Sequence, residues 1–293
     1  PGDEELVERK SRHIGLVSPE RAVLLSYSKM ELYDQLLASE LVDDDYLVPT
    51  LTGYFPRVLG VRYSEAMKRH PLRREIIATV LANGTVNRSG SVFIHRMREE
   101  TGASGPEVVR AYMLATEVLG LGRLLAEIDG LDHVVSARTQ ADLLTDVGRL
   151  SLRAVLWFLR RAGAAQPIAE VVDFFAPGVA VVRQKLDNLL APDELAAVQA
   201  SERRLTDAGV PAAIAGQVAR LDPLYAVLDI VDLANEADRS VELVAAIYYA
   251  LAGRLETVWI ARQVGSLPSD THWQIMARAA MRDDIGALQR QVT

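Results

Sequence analysis

Apolar residues recur at steps of three and four along this chain, and the clearest run lies between Val134 and Arg161. That spacing places side chains on one face of an α-helix, and here it is kept by Leu143, Val147, Leu150, Ala154, Val155 and Phe158. The best candidate for a β-strand is VVDFFAPGVAVV, but Pro177 and Gly178 interrupt it, and proline is rare inside a sheet. The sequence therefore predicts an all-α fold, a multi-helix bundle with no significant β-sheet.

Signals for the start of a helix recur along the chain. Ser18, Pro19 and Glu20 suit the N-cap, the first helical position and the first turn of a helix. Ser104 is followed three residues later by Glu107, which is the spacing of a capping box. In the second half, prolines stand where helices can begin, at Pro167, Pro177, Pro192 and Pro211.

The chain also contains a weak internal repeat. At an offset of 136 residues, identical residues align: Ile94 with Ile230, Glu100 with Glu236, Ser104 with Ser240, Val108 with Val244, and Tyr112 with Tyr248. Sparse identities also arise by coincidence among helices rich in Ala and Leu, so both explanations stay open. A true repeat predicts two similar helical modules, and we place them at 1–165, which includes an N-terminal lead-in, and at 166–293.

Composition and charge narrow the possible partners. The net charge is −7, whereas nucleic-acid binding depends on clustered Lys and Arg that neutralise phosphates. The chain has no Cys, which excludes disulfides and thiolate nucleophiles. No apolar run approaches the roughly 20 residues that span a bilayer, and the acidic start PGDEELVERK is not typical of a signal peptide. We expect a cytoplasmic protein with neither a nucleic-acid nor a membrane partner.

Polar residues are densest between Pro71 and Gly102. At helical spacing, one stripe of the first helix in this stretch contains Arg73, Ile76, Val80, Asn83 and Asn87. A break at Ser89-Gly90 separates it from a second helix that ends at Gly102. Buried amides need hydrogen-bond partners, so this face is expected to pack on irregular backbone or on a polar surface. We predict a candidate docking or effector surface formed by Arg73, Asn83, Asn87, Arg88, His95 and Arg96, and the simpler alternative is a helix-packing junction.

Other motifs that suggest chemistry are better explained by structure. The acidic runs Asp43-Asp44-Asp45 and Asp283-Asp284 lack the paired spacing of a magnesium site, and they suit solvated turns or helix ends. Gly120-Leu121-Gly122 has no preceding strand, so we interpret it as a helix-ending turn rather than a dinucleotide site. No metal-ligand spacing relates the five histidines, which are His13, His70, His95, His133 and His272. The prediction is that this chain contains no catalytic, cofactor-binding or metal-binding residues.

Three stretches carry a family resemblance. The run LRREIIATVLAN…VNRSGSVFIHRMREETG, the upstream SPERAVLLSYSKMELYDQLLASEL and the final HWQIMARAAMRDDIGALQRQVT resemble the C-terminal helical region of the large, single-chain class of bacterial NAD-dependent glutamate dehydrogenases. In that family the amino-acid-binding and nucleotide-binding domains precede this region. The glycine-flanked lysines of the catalytic domain have no counterpart among Lys10, Lys29, Lys68 and Lys185.

The resemblance implies a function for the parent protein. The parent would convert L-glutamate, NAD and water to 2-oxoglutarate, ammonia and NADH, and NAD would bind outside this chain. This chain would brace the catalytic domain of the same polypeptide, contribute to a homo-oligomer or transmit regulation. The alternative hypothesis is an independent all-helical scaffold that binds a protein partner, because helical modules commonly offer grooves to amphipathic helices.

Overall fold

A computed structural model describes residues 4–12, 14–161 and 166–293. Every regular element in these ranges is helical, so the all-α prediction is confirmed. The chain divides into two compact units, one made of Pro1–Tyr112 with Leu159–Ile168 and the other of Met113–Phe158 with Ala169–Thr293. The boundaries of these two units do not coincide with residues 165 and 166. The two modules inferred from the sequence, 1–165 and 166–293, remain a prediction. His13 lies outside the described residues.

The first unit is built around two packed helices, α2 (Ser18–Leu37) and α5 (Arg73–Ser89). Leu32 and Leu36 of α2 are buried, as are Ile77 and Leu81 of α5, and these helices make the most extensive contact within the unit. Short 3₁₀ turns at Leu41–Asp43 and Asp45–Leu47 follow α2. The helices of this unit are α1 (Glu4–Ser11), α2 (Ser18–Leu37), α3 (Val48–Gly53), α4 (Arg57–Lys68), α5 (Arg73–Ser89), α6 (Phe93–Thr101) and the first half of α7 (Gly105–Val118).

The second unit contains the rest of α7 and the remaining helices, except that the last residues of α9 (Ala137–Arg161) and the first residue of α10 (Ile168–Leu189) belong to the first unit. Within this unit, α9 contributes a long apolar face. All six residues of the predicted apolar face of α9 are buried, including Leu143 and Phe158, so that prediction is confirmed. The helices are α8 (Leu121–Asp129), α9 (Ala137–Arg161), α10 (Ile168–Leu189), α11 (Pro192–Asp207), α12 (Ala212–Ala219), α13 (Leu221–Leu224), α14 (Val227–Glu236), α15 (Val241–Arg254), α16 (Thr257–Ser266) and α17 (His272–Val292).

Several predicted helix ends are present. The Ser104 N–H and hydroxyl both donate to the Glu107 carboxylate at 2.7 Å, and the Glu107 N–H donates to the Ser104 hydroxyl at 3.4 Å. These hydrogen bonds hold the pKa of Glu107 below its usual value. Gly102 and Gly120 adopt positive φ angles of 75° and 59° at helix boundaries, a conformation that glycine accepts without steric cost. The capping box and both glycine turns are therefore confirmed.

Two predicted helix starts differ from the structure. Helix α2 begins at Ser18 with Val17 as its N-cap, and Glu20 accepts a hydrogen bond from the Val17 N–H at 2.8 Å. The prediction of Ser18 as N-cap is therefore wrong by one residue. Pro177 does not begin a helix but lies inside α10. The apolar face of α10 continues across the proline through Val171, Phe175, Val179, Val182 and Leu186, all of them buried, and this burial offsets the backbone hydrogen bond that proline removes.

Helix length and hydropathy bear on membrane insertion. Within the described ranges, no single helix is both long and apolar enough to cross a membrane. Among the described helices, the pair α15 and α16 meets that criterion when taken together, and the two are bent by 58° where they join.

Candidate functional site

The predicted polar stripe of α5 is not the face that packs. The buried residues of α5 are Ile77, Ala78, Leu81, Ala82, Thr85 and Val86. They lie on the opposite side of the helix from Ile76, Val80 and Asn83, which are only half-buried. Within the described chain, the expectation that this stripe packs against backbone or a polar surface holds for Arg73, which donates to the Asp43 carbonyl oxygen, and does not hold for its two asparagines. Two apolar stripes compete on α5, and the larger one, with Ile77 and Leu81, is the one that meets α2.

The two asparagines of the stripe are accessible to solvent. Asn83 is half-buried, whereas Asn87 is exposed. Their side chains make no hydrogen bond within the part of the chain that the structure describes. Such amides keep their hydration, and they add little to the stability of the fold.

Replacing both asparagines with Ala is expected to leave the free energy of unfolding within about 0.5 kcal/mol of the parent value, since no packed or hydrogen-bonded group is lost. Ala also has the higher helix propensity. Urea denaturation of the Asn83→Ala/Asn87→Ala variant measures this change. The matched control is Leu81→Ala, on the buried side of the same helix, with an expected loss of about 2–5 kcal/mol. A loss from the asparagine pair as large as that of the control would contradict the exposed placement.

Arg73 and its neighbour Arg74 anchor the start of α5 to the end of α2. Arg74 donates to the carbonyl oxygens of Leu37 at 2.8 Å and Ser39 at 3.0 Å, and it forms an ion pair with Asp43. Arg73 donates to the Asp43 carbonyl oxygen at 3.3 Å. A guanidinium group at this position satisfies carbonyls that the last turn of α2 leaves without helical partners. Arg73 thus attaches α5 to the 3₁₀ turn that follows α2. Arg74 was not among the residues predicted for the candidate surface.

Two pairs of charged residues lie within α6, while Arg98 of the same helix pairs with Glu31 of α2. His95 Nε2 lies 3.2 Å from Glu99, and Arg96 Nε lies 2.6 Å from Glu100. Both pairs are four residues apart on the helix, an arrangement worth about 0.3–0.5 kcal/mol. Arg88 is exposed near the end of α5.

The six predicted residues do not converge on one point. Arg73 and Asn83 are ten residues apart on one helix, which is about 15 Å at 1.5 Å per residue. The three basic residues Arg73, His95 and Arg96 each have an acidic or carbonyl partner nearby. The docking or effector role of these six residues stays a prediction.

The acidic turn caps a helical segment. Asp44 accepts a hydrogen bond from the Tyr46 N–H at 2.9 Å, at the start of the second 3₁₀ turn. Asp43 pairs with Arg74, and the side chain of Asp45 is 99% exposed. Among the described residues, no group of three or more His, Asp or Glu side chains is arranged to hold a metal ion.

A group of charged residues with a buried centre lies in the second unit, around Arg290 of α17. Its guanidinium lies 3.5 Å from Asp229, 2.8 Å from Asp232 and 2.6 Å from Glu236. The Arg290 side chain is 11% exposed and that of Asp229 is 9% exposed. Trp157 of α9 completes the group, since its indole N–H donates to Asp229 Oδ1 at 3.0 Å. We refer to these five residues as the Arg290 cluster.

The Arg290 cluster follows from the spacing of acids on α14. Asp229, Asp232 and Glu236 are separated by three and four residues, so their carboxylates share one helical face. A buried carboxylate is costly unless it is paired and hydrogen-bonded, and Arg290 and Trp157 supply those partners. The sequence reasoning missed this site, although three acids at helical spacing within the apolar α14 were a usable signal.

Gln289 provides a second buried attachment of α17. Its amide nitrogen donates to the Tyr248 carbonyl at 3.2 Å, and its amide oxygen accepts from the Thr257 hydroxyl at 3.1 Å. Burial raises the pKa of the Tyr248 phenol well above its usual value, and the nearby charge of Asp229 raises it further. The carboxyl-terminal helix is therefore joined to α14, α15 and α16 by side chains that carry polar groups.

A second arginine, half-buried, joins three helices in the same unit. Arg220 makes a two-pronged contact with Asp187, at 2.8 and 2.7 Å. It also donates to Glu202 at 2.7 Å, and these hydrogen bonds raise its pKa. Bidentate pairs of this kind hold both orientation and distance.

A charged cleft of about 290 Å³ lies between α9 and α11. Burial raises the pKa of Asp146, while the neighbouring Arg149 and Arg204 lower it. Arg149 lies 2.9 Å from Asp146, so the central charges of the cleft compensate each other. The lining residues are Thr139, Asp142, Thr145, Asp146, Arg149, Arg204, Leu205 and Ala208.

The structure is that of an all-α protein region. Its helices are joined by hydrogen bonds and ion pairs among arginines, acidic residues and a tryptophan. The sequence matches the family described as "Glutamate dehydrogenase, C-terminal" over residues 13–293. The chain belongs to this family. The predicted resemblance is thus confirmed.

Individual relatives agree with the family assignment. The chain is 38% identical over 293 residues to the NAD-specific glutamate dehydrogenase of Pseudomonas aeruginosa, and 37% identical over 293 residues to that of Halomonas elongata. It is 33% identical over 290 residues to the NAD-specific glutamate dehydrogenase of Mycobacterium tuberculosis. All of this chain, or 99% in the third case, is covered, yet it spans only 18% of each relative.

Proposed function

We propose that this chain is a non-catalytic C-terminal region of an NAD-dependent glutamate dehydrogenase. The parent enzyme would convert L-glutamate, NAD⁺ and water to 2-oxoglutarate, ammonia and NADH. One observation carries the proposal: the full length of this chain aligns with relatives named NAD-specific glutamate dehydrogenase while spanning 18% of each. NAD would bind in the catalytic part of the same polypeptide, which is also the proposed partner of this region.

The proposed role of this region is to brace the catalytic part. The buried polar contacts support it, because the Arg290 cluster and the Arg220 contacts hold several helices in one orientation. Such fully paired networks favour one arrangement of helices over looser alternatives. A rigid helical region can then present a defined surface to its partner. Assembly as a homo-oligomer and location in the cytoplasm belong to the same proposal.

Three proteins test this function: the full-length polypeptide, the same polypeptide without this region, and the region alone. NADH formation from L-glutamate and NAD⁺ is followed by absorbance, together with thermal unfolding. We expect activity from the full-length protein, none from the region alone, and a less active or less heat-stable protein after deletion. Glutamate-dependent NADH formation by the region alone would contradict a non-catalytic role. A deletion protein with unchanged activity and stability would contradict bracing.

Regulation through the α5–α6 surface is a separate part of the proposal. The Asn83→Ala/Asn87→Ala variant is suited to test it in the full-length enzyme, because its fold is expected to be unchanged. An altered kcat or KM at unchanged stability would support a docking or effector role for this surface. Unchanged kinetics would remove Asn83 and Asn87 from that role.

A further inference from the structure

The charged cleft between α9 and α11, called the α9–α11 cleft from here on, has the size of a small binding site. Its volume of about 290 Å³ is close to the lower limit of the roughly 300–1,000 Å³ that ligand pockets occupy. One wall is a face of α9, because the lining residues of this helix recur at steps of three and four. They are Thr139, Asp142, Asp146 and Arg149. The other wall is the end of α11, with Arg204, Leu205 and Ala208.

Two charges of the α9–α11 cleft neutralise each other within one wall. Arg149 lies 2.9 Å from Asp146, and the Asp146 side chain is 35% exposed. Both residues belong to α9 and are three positions apart. This ion pair therefore does not join the two walls, and it leaves the facing wall of α11 without a counter-charge.

Two further charges stand on opposite walls. Asp142 of α9 and Arg204 of α11 are exposed, and within the described residues neither side chain forms an ion pair or a hydrogen bond. Both lie near Asp146: burial is the main cause that raises the pKa of Asp146, and among the smaller causes Arg204 lowers this pKa while Asp142 raises it. The cleft thus offers an unpaired carboxylate on one wall and an unpaired guanidinium on the other.

Opposite charges on facing walls indicate the kind of ligand. A guanidinium group binds a carboxylate through two parallel hydrogen bonds, and a carboxylate accepts hydrogen bonds from an ammonium group. Leu205, which is 5% exposed, adds an apolar contact. A ligand with a single charge would leave one wall unpaired, whereas a small zwitterion matches both walls.

We propose that the α9–α11 cleft binds a small zwitterion of the amino-acid type, with the ligand carboxylate on Arg204 and the ligand ammonium group on Asp142. This inference goes beyond the proposed function, since neither bracing nor the α5–α6 surface involves these residues. The simpler explanation is that Arg204 complements the negative end of α11 and that Asp142 is hydrated. Binding measurements separate the two explanations.

Hydrogen–deuterium exchange of the full-length polypeptide tests the proposal, with each of the common L-amino acids as a probe. Peptides that cover residues 139–149 and 204–208 report on the two walls. For every amino acid that slows exchange, two derivatives with a single charge are compared: the amide, which lacks the carboxylate, and the N-acetyl derivative, which lacks the ammonium group. We expect at least one L-amino acid to slow exchange in both walls, and neither of its derivatives to do so at the same concentration.

Two variants remove one charge of the site each. Arg204→Gln and Asp142→Asn change exposed side chains, so the fold is expected to be unchanged. Each variant is expected to raise the Kd of the bound amino acid about tenfold or more, because one charge-assisted hydrogen bond is lost. The matched control is Arg203→Gln, which changes an exposed arginine outside the lining of the cleft, and its expected Kd equals that of the parent protein.

Several outcomes would overturn the proposal. If no amino acid slows exchange in the two walls, the structural explanation of Arg204 and Asp142 holds instead. An N-acetyl derivative that protects the walls as well as its parent amino acid would indicate an anion site, and an amide that does so would indicate a cation site. A Kd unchanged by both Arg204→Gln and Asp142→Asn, or raised equally by Arg203→Gln, would also contradict the site.

This readout does not depend on the formation of NADH. An amino acid bound at a substrate site elsewhere in the polypeptide protects other peptides, so the two signals stay separate. If the full-length protein forms no NADH but both walls are protected, the proposed catalytic parentage fails while the cleft site stands. If activity depends on this region but no amino acid protects the walls, the proposed function stands and the cleft site fails.

Discussion

Replacing Arg290 with Met is expected to lower the free energy of unfolding of the second unit by about 3–5 kcal/mol, the usual cost of removing one partner from a buried ion pair. The side chains of Arg290 and Asp229 are 11% and 9% exposed, so water cannot replace the lost guanidinium well. Asp229 would remain buried with the Trp157 N–H as a donor but without its cation. Urea denaturation followed by circular dichroism measures the loss.

Two variants separate loss of the ion pair from loss of a long side chain. Arg282→Met changes an exposed arginine of the same helix, and its expected effect is within about 0.5 kcal/mol. Asp229→Asn keeps an oxygen for the Trp157 N–H and removes the charge, so the double variant with Arg290→Met should lose less stability than Arg290→Met alone. Equal losses from Arg290→Met and Arg282→Met would show that the Arg290 cluster does not stabilise the fold.

Replacing Phe158 with Ala is expected to destabilise the second unit by about 3–5 kcal/mol, because a large aromatic side chain leaves a cavity that the core fills only partly. Phe158 is 1% exposed. Its ring lies 5.2 Å from that of Trp157 and 5.7 Å from that of Phe175, both in edge-to-face orientation, a geometry that adds to the burial energy. The midpoint of urea denaturation reports the change.

Phe174→Ala is the matched control for Phe158→Ala. Phe174 is 41% exposed, and its ring contacts that of Phe175 at 4.8 Å. Its removal leaves no closed cavity, so the expected loss is less than half that of Phe158→Ala. Similar losses for the two variants would contradict the burial of Phe158 and the exposure of Phe174.

Local sequence patterns predicted much of the secondary structure. The apolar spacing on α9 identified side chains that are all buried, because a helix that repeats every 3.6 residues brings such positions onto one face. The Ser104 and Glu107 pair identified the start of α7, since a capping box is completed within four residues. Gly90 and Gly102 were predicted to end helices. In the structure both adopt positive φ angles, 89° and 75°.

The same patterns misjudged the face of α5. Ile76 and Val80 form one apolar stripe with Arg73, and Ile77 and Leu81 form another, so spacing alone could not rank them. Packing against α2 buries the second stripe and leaves Asn83 and Asn87 toward solvent. The choice between two stripes depends on the shape and chemistry of the neighbouring helix, which short-range spacing does not contain.

The sequence by itself determined the helical architecture, most helix boundaries and the family, because these depend on residues within a few turns of one another or on an ordered match along the whole chain. Only the tertiary structure decided that Asp229 meets Arg290 and Trp157, and that Gln289 of α17 is buried. Sequence separations of 61 and 72 residues lie between those partners. Contacts over such distances form when helices pack, and local propensity does not encode which charged groups then become neighbours.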